Sequence, residues 1–374
     1  MFSDFDRFAM QRALTLAARG LETTDPNPRV GCVIAQRGRI VGEGWHARAG
    51  GNHAEVEALQ AAGEAAAGAH VYVTLEPCSH HGRTPPCVEA LSAARVARVV
   101  YAIGDPNPVV NGRGAAALRA AGIAVETGLM EKEAAELNAG FITRMQTGRP
   151  LVRLKLAMSL DGRTALASGV SRWITGEAAR EDVQHWRARS SAVLTGIGTV
   201  LADDPQLGVR LPPSVPGGER RQPLRVVLDA QLRTPATARL FEPGGEPLIF
   251  TAVTAPDDSR AMRLSERGAR VESLPGTRER LELPAVLQRL GELEVNELLV
   301  EAGATLAGAL LYEGLVDELL LYVAPKFLGP SARPLVALPP LQQLDDASRY
   351  VLLGVQQFGD DLRLRLRPRA AVGG

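Results

Sequence analysis

The stretch that decides the fold is HAEVEALQAAGEAAAGAHVYVTLEPCSHHGRTPPCVEALSAA, residues 53–94. It predicts an alanine-rich helix over 53–66, a buried strand over 69–77, the loop SHHGRTPP, and a short helix over 86–94. His53 and Glu55 fall at the start of the first helix, Cys78 at the end of the strand, and Cys87 at the start of the second helix. One imidazole and two thiolates hold Zn²⁺ and leave its fourth tetrahedral position to water. The metal lowers the pKa of that water to about 7. A carboxylate beside it takes the water's proton and passes it to a ring nitrogen and a leaving amine. Helix starts add partial positive charge that favours thiolate. His53, Cys78 and Cys87 are therefore candidate zinc ligands, and Glu55 the candidate catalytic acid–base. Eight residues separate the cysteines, where the general zinc-deaminase signature has two. A closed structural zinc site with His80 or His81 as fourth ligand is the competing reading.

Outward from this stretch, strands and helices alternate. A helix is predicted over 5–21. Strands 29–35 and 39–45 join through a tight turn at Arg37-Gly38. Strands at 96–105 and 124–128 flank a helix at 112–123, and one long helix over 130–148 closes the unit. Arg149-Pro150 reads as a boundary, which divides the chain into domains 1–148 and 149–374. A strand over 151–159 opens the second half. Further strands are expected near 192–196, 224–229, 247–251, 297–301 and 318–324, with helices near 177–190, 259–267, 283–291 and 304–313. Residues 212–223 read as an exposed loop and 367–374 as a frayed tail. The pattern predicts an α/β protein, with a mixed sheet in the first half.

Composition narrows the function. The 374 residues are enough for two or three cores. Lys+Arg and Asp+Glu are equal at 42 each, which argues against a nucleic-acid binder. Aromatic residues are only 4%, too few for a single-strand stacking platform. Three cysteines argue against a disulfide scaffold and for a reducing compartment. No signal peptide or run of about 18 apolar residues is present, so the expectation is a cytoplasmic protein without a membrane partner.

PCSHHGRTPPC (77–87), with HAEVEAL (53–59), DPNPRVGCVI (25–34) and DPNPVVNGRG (105–114), resembles the riboflavin-biosynthesis deaminase family. The resemblance implies a cytidine-deaminase-like domain with helices on both faces of its sheet. It implies removal of the 2-amino group of a diaminopyrimidinone that carries a ribosylamino phosphate. Substrate contacts carry over to Asn27, His46, Arg83, Asp105 and Asn107. A guanidinium at Arg83 suits phosphate.

LKLAMSLDGRTA (154–165), SRWITG (171–176), VLTGIGTVLADDPQLGVR (193–210) and LLVEAGATLAGALL (298–311) resemble the dihydrofolate-reductase-like reductase domain fused to that deaminase. Read from the residues, Glu301-Ala302-Gly303-Ala304-Thr305 is a small-residue turn from a strand into a helix, and Thr195-Gly196-Ile197-Gly198-Thr199 is a second small-residue turn after a strand. Such turns bring backbone amides to a dinucleotide phosphate, though not in the Rossmann pattern. The family often has Glu-Gly-Gly where this chain has Glu301-Ala302-Gly303. The resemblance implies NADPH contacts at Ala157, Trp173, Thr199, Asp203, Gly303, Ala304, Thr305, Leu306, Ala307, Gly308 and Ala309. It implies substrate contacts at Ser171, Arg187, Leu207, Arg210 and Glu301, with both arginines suited to phosphate. Trp173 and Asp203 read otherwise as a packing residue and a turn residue.

The expected reading is a bifunctional enzyme that uses zinc and NADPH on a phosphorylated pyrimidine, and the resemblance implies a homo-oligomer. Two alternatives stay open. One is a zinc deaminase of another nucleoside or RNA base fused to a nucleotide-binding module. The other is a non-catalytic zinc- and nucleotide-binding protein.

Overall fold

A computed structural model of the protein describes residues 1–80, 85–108, 110–212, 220–242, 246–253, 258–344 and 347–369. The chain divides into two compact units, Met1–Gly148 and Arg149–Gly374.

In the first unit, α1 (Asp4–Ala17) starts at a capping box. Ser3 Oγ accepts from Asp6 N at 3.1 Å, and Asp6 Oδ2 accepts from Ser3 N at 2.8 Å. β1 (Gly31–Gln36) and β2 (Arg39–Trp45) form an antiparallel hairpin. Its turn residues Arg37 and Gly38 have φ of 51° and 73°, the positive values that a two-residue type I′ turn requires. β3 (His70–Leu75), β4 (Arg98–Ile103) and β5 (Ala124–Thr127) run parallel to one another, and the sheet order is β2-β1-β3-β4-β5. Side chains alternate across it. Ile34, Val71, Val73 and Val99 meet α2 (Ala54–Ala62), α3 (Cys87–Ala93) and α4 (Arg113–Ala120) on one face. Val33, Tyr72 and Val100 meet α1 and α5 (Glu131–Leu137) on the other. Two glycines in β2 set the closeness of α2. A Cβ on Gly42 would stand 2.3 Å from Ala58 O, and one on Gly44 2.4 Å from Ala54 O. The helix that carries Glu55 thus lies directly on the strand backbone.

The helix expected over 130–148 is two helices, α5 and α6 (Ala139–Thr147), broken at Asn138. Asn138 is fully buried, and its carboxamide binds the backbone of Arg29: Oδ1 accepts from Arg29 N at 2.8 Å and Nδ2 donates to Arg29 O at 2.9 Å. That exchange satisfies a backbone pair just before β1, and it accompanies a non-helical Asn138.

The second unit is a nine-stranded sheet. Its order is β11 (Arg270–Ser273), β10 (Pro247–Thr251), β9 (Leu224–Leu228), β8 (Ala192–Gly196), β12 (Glu297–Glu301), β6 (Leu151–Ser159), β13 (Glu318–Ala324), β16 (Asp361–Pro368), β15 (Tyr350–Phe358). All neighbours are parallel except the β13–β16 and β16–β15 pairs. A two-stranded ribbon, β7 (Arg163–Ala165) with β14 (Arg333–Pro334), stands apart. α10 (Leu283–Glu292) and α11 (Ala304–Tyr312) cover Val152, Leu154 and Leu156 on one face. α7 (Glu177–Arg189) covers the other around Val193, Leu299 and Leu320, and α8 (Ile197–Asp203) and α9 (Ser259–Glu266) pack there against Val227 and Ile249. β12 enters between β8 and β6 after β8–β11 have formed one wing of the sheet, and β13, β15 and β16 follow on the other. The chain winds outward in both directions from there, which is where open α/β sheets form a crevice beyond their strand ends.

The tail is ordered further than expected. Arg367 and Pro368 lie in β16, and Arg369 N donates to Arg349 O at 2.8 Å. The loop expected over 212–223 lies partly outside the described residues. Its C-terminal part is not fully exposed, because Arg221 reaches in to donate to Ala188 O and Ser190 O. Among the described residues, no helix is long and apolar enough to cross a membrane.

Candidate active sites

In the first unit, the N-cap of α2, the exit of β3 and the first residue of α3 converge. His53, Cys78 and Cys87 place their ligand atoms within 4.8 Å of one another. His53 Nδ1 lies 3.2 Å from Cys87 Sγ and 3.5 Å from Cys78 Sγ. Tetrahedral zinc with Zn–S of about 2.3 Å and Zn–N of about 2.0–2.1 Å would set these edges near about 3.6 Å, so the donor set and its spacing fit that ion. Cys87 N donates to Cys78 Sγ at 3.3 Å, a backbone bond that favours thiolate. The Cys87 hydrogen bond, followed by that of His53, pulls the Cys78 thiol well below its ordinary range, while Cys87 is pushed up by the same contact and by burial. His80 is not part of the converging group; its Nδ1 is buried without a partner. His81 lies outside the described residues. Among the described residues the ligand set is therefore three.

Glu55 is buried beside this cluster. Burial pushes its carboxyl up to about 7, opposed by the charge of His53. Such a group exchanges a proton readily near neutral pH. The imidazole of His46 stands edge-on to His53 at 5.5 Å between centroids. Its ring is fixed by Asn52 O at 2.9 Å and by Asn27 Nδ2 at 3.0 Å, so Asn27 and His46 act as one unit. Burial lowers the His46 pKa, which keeps the ring neutral. Asp105 is raised to about 6 by burial, against a backbone bond that Asn107 N donates to its Oδ1 at 2.9 Å. Its carboxyl feels Cys78 and His80. Of the sequence-derived set, His46 thus stands against His53 and holds Asn27, and Asp105, which Asn107 N bonds, lies within electrostatic reach of Cys78. Arg83 lies outside the described residues.

In the second unit, two turns meet at the crevice. α11 starts at Gly303 and α8 at Gly196, neither with a side-chain cap. A Cβ on Gly196 would stand 3.4 Å from Leu306, and one on Gly303 4.0 Å from Thr199. The uncapped amides at the start of α11 are donors suited to a phosphate. Thr195 Oγ1, fully buried at the end of β8, has no partner. Ala304, Thr305 and Leu306 form the first turn of α11. Ala307 lies in the core, Ala309 packs against it, and a Cβ on Gly308 would fall 2.0 Å from Ala337 O. The side-chain positions of these three residues thus face protein.

Ser171 Oγ donates to Asp203 Oδ1 at 3.4 Å, and the Arg172 guanidinium donates to Asp203 O. Trp173 is 63% exposed, so it is not a packing residue; Arg180 stacks on it at 4.4 Å. Ala157 sits on β6 beside Tyr322, partly buried against the α7 face.

Two of the expected substrate contacts have protein partners of their own. Arg187 spends its fork on Glu301, with Nε to Oε1 at 2.6 Å and Nη2 to Oε2 at 3.0 Å, and Nη1 donates to Gly208 O at 2.9 Å. It anchors Glu301 instead of standing free for a phosphate. The Leu207 side chain is 1% exposed and belongs to the core around Val183 and Trp186. Arg210 remains exposed, and no ion pair holds it among the described residues. Burial and then the charge of Arg187 lower its pKa.

Sequence reasoning missed Lys155. It pairs with Glu301 across the β6–β12 register, and burial lowers its pKa against the pull of Glu301. The available signal was rarity: it is one of only three lysines among 42 cationic residues. Glu301 in turn is held at about 2; burial raises it, but the charge and hydrogen bonds of Arg187 overcome that.

Comparison with known proteins agrees with this geometry. Residues 3–103 match the cytidine and deoxycytidylate deaminase zinc-binding region, and residues 150–364 match the RibD C-terminal domain. The riboflavin biosynthesis protein RibD of Escherichia coli is 52% identical over 368 residues, covering 96% of this chain and 99% of that protein. The solved structure of Acinetobacter baumannii RibD superposes with a TM-score of 0.89 at 48% identity, covering 98% of this chain and 99% of that one. That of a Thermotoga maritima diaminohydroxyphosphoribosylaminopyrimidine deaminase/5-amino-6-(5-phosphoribosylamino)uracil reductase superposes at 0.85 with 33% identity, covering 98% of this chain and 99% of that one.

Proposed function

Because the chain belongs to the RibD family, a deaminase and a reductase of riboflavin biosynthesis in one polypeptide, we propose that it performs two successive steps on one phosphorylated pyrimidine. The first unit deaminates 2,5-diamino-6-ribosylamino-4(3H)-pyrimidinone 5′-phosphate. The second reduces the ribosyl chain with NADPH to give 5-amino-6-(ribitylamino)uracil 5′-phosphate. The observation that carries this reading is the His53–Cys78–Cys87 triad with Glu55 buried against it.

Zinc, when bound, is a Lewis acid that makes water nucleophilic at neutral pH. His53, Cys78 and Cys87 hold it. Glu55 would accept a proton from the attacking water and deliver it to the ring nitrogen, then carry the proton of the added hydroxyl to the amino group, which leaves as ammonia as the C–N bond breaks. Asn27 and His46, locked together, and Asp105 and Asn107 grip the pyrimidine edge. Arg83 takes the phosphate.

NADPH, when bound, supplies the hydride that adds at C1′. The first turn of α11 from Gly303 to Leu306, with Thr199 and Asp203, binds the dinucleotide, Trp173 and Ala157 line its path, and Ser171, bonded to Asp203, faces the substrate. Arg210 meets the substrate phosphate. Glu301, fixed by Arg187, orients the sugar. Lys155 supplies the proton that the ribosyl ring oxygen gains as the C1′–O bond opens.

The test is to supply the whole chain with zinc, NADPH and the diaminopyrimidinone phosphate while following ammonia and NADPH separately. One ammonia released and one NADPH oxidised per substrate is the expected result. Equal ammonia release from cytidine or RNA would favour a general nucleoside deaminase instead.

A further inference from the structure

We infer that Glu76 is a positioning residue for the deamination: it ties the loop that carries Asp105 and Asn107 to the strand that carries Cys78. The inference rests on the deaminase reading above. β3 and β4 are parallel neighbours, with Leu75 beside Ile103, and Glu76 N donates to Ile103 O at 2.9 Å. Both strands therefore end at one level. One leads through Pro77 to Cys78, the other through Gly104 to Asp105.

The Glu76 side chain fills the gap between the two exits and is 3% exposed. Its Oε2 accepts from Asp105 N at 3.3 Å and from Gly112 N at 3.0 Å. Those donors are the two ends of the loop 105–112, so a single oxygen closes it. Oε1 accepts from Ala115 N at 3.0 Å, in the first turn of α4, whose N-cap Gly112 has no side chain of its own. A Cβ on Gly114 would lie 2.0 Å from Pro77 O, so the helix rests on the exit of the metal strand. A carboxylate with three backbone donors at a helix start is a strong, directional anchor.

Nothing in this arrangement touches His53 or Glu55. The anchor fixes where Asp105 and Asn107 stand relative to Cys78, which sets substrate grip more than the proton transfer itself. Glu76→Gln keeps the shape but leaves one carbonyl oxygen for three donors and turns an amide group toward the rest. Glu76→Asp keeps the charge and falls one methylene short.

The experiment uses the full zinc-loaded chain and the diaminopyrimidinone phosphate. The wild-type chain is assayed first; absence of ammonia release there would sink the deaminase reading and this inference with it. With wild-type release established, Glu76→Gln should raise KM about tenfold or more, the effect of losing charge-assisted bonds. Its kcat should change far less, zinc content should stay at the wild-type level, and NADPH oxidation with the deaminated substrate should be unchanged. Backbone amide exchange should speed up at 105–115 and not at 53–62. Glu76→Asp should show the same pattern more weakly. An unchanged KM, or an unchanged exchange rate at 105–115, would overturn the inference. So would loss of zinc or of NADPH oxidation in both variants, which would mark Glu76 as a folding residue only.

Discussion

The two units build their sites from different materials. In the first, the chemistry sits in side chains of distinctive type: an imidazole, two thiols and a carboxyl, each placed at a strand end or helix start. In the second, much of the binding capacity is backbone, the uncapped amides at Gly303 and Gly196, and the charged groups restrain one another. Side-chain sites announce themselves by residue identity. Backbone sites announce themselves only through the small residues that allow close approach. The difference also predicts that each activity can be removed alone.

The largest effect should come from Glu55→Gln. Ammonia release should fall by about 10²–10⁴-fold, the usual worth of a positioned proton carrier, while zinc content and NADPH oxidation with the deaminated substrate stay as they were. Metal analysis beside an ammonia assay checks this. Lys155→Met should do the converse, cutting NADPH oxidation by about 10²-fold or more with ammonia release intact. If either variant disabled both reactions, the separation of the two sites would be wrong.

Smaller effects separate the cores. In the second unit, Arg153 is buried between Glu297 at 2.8 Å and Glu318 at 3.2 Å. Replacing it with Met should destabilise that unit by about 3 kcal/mol, near the low end for breaking a buried pair. The low end applies because Arg189 and Arg365 still hold the two carboxylates. Denaturant unfolding measures it. In the first unit, Asn138→Ala strands the buried N–H and C=O of Arg29 and should cost about 2 kcal/mol. Amide exchange at residue 29 reports it directly.

The smallest contrast is with acid. Glu301 and Glu318 are both held at about 2, below the ordinary 4.5, because neighbouring arginines outweigh burial. A lowered folded value means that their contribution is full above pH 4.5 and is lost as pH falls from there toward 2. Asp105, raised to about 6 by burial, has the opposite sign: ionising it opposes folding of the first unit as pH rises from about 4 to 6. Acid titration of the melting temperature should show the second unit weakening below pH 4.5. Glu318→Gln should flatten that decline; an unchanged profile would contradict the assignment.

Much of this was readable in the sequence. The strand at 151–159 and those at 247–251, 297–301 and 318–324 have the predicted bounds, because short stretches dominated by apolar residues between turn residues leave few alternatives. The zinc triad and Glu55 were readable because few other roles need that set of groups at those places. What escaped was tertiary. The break at Asn138 depends on a backbone pair 109 residues away. α8 was read as a turn, and the hairpin of β15 and β16 was absent from the reading; β15 is exposed along most of its length, so it lacks the alternation that betrays a half-buried strand. Arg187 looked free for phosphate until Glu301 was seen in its fork. Glu76 passed as an ordinary residue before a proline because its three donors come from 29 to 39 positions downstream.

The central claim is that one chain carries out deamination and then reduction at two separate sites. It is tested most directly by giving the zinc-loaded Glu55→Gln chain NADPH and each of the two pyrimidines in turn. With the diaminopyrimidinone phosphate, neither ammonia nor NADPH consumption should appear. With the deaminated ribosylamino-uracil phosphate, NADPH should be consumed at the wild-type rate. NADPH consumption at the wild-type rate with the undeaminated substrate would contradict the order of steps, and its absence with both would contradict the independence of the sites.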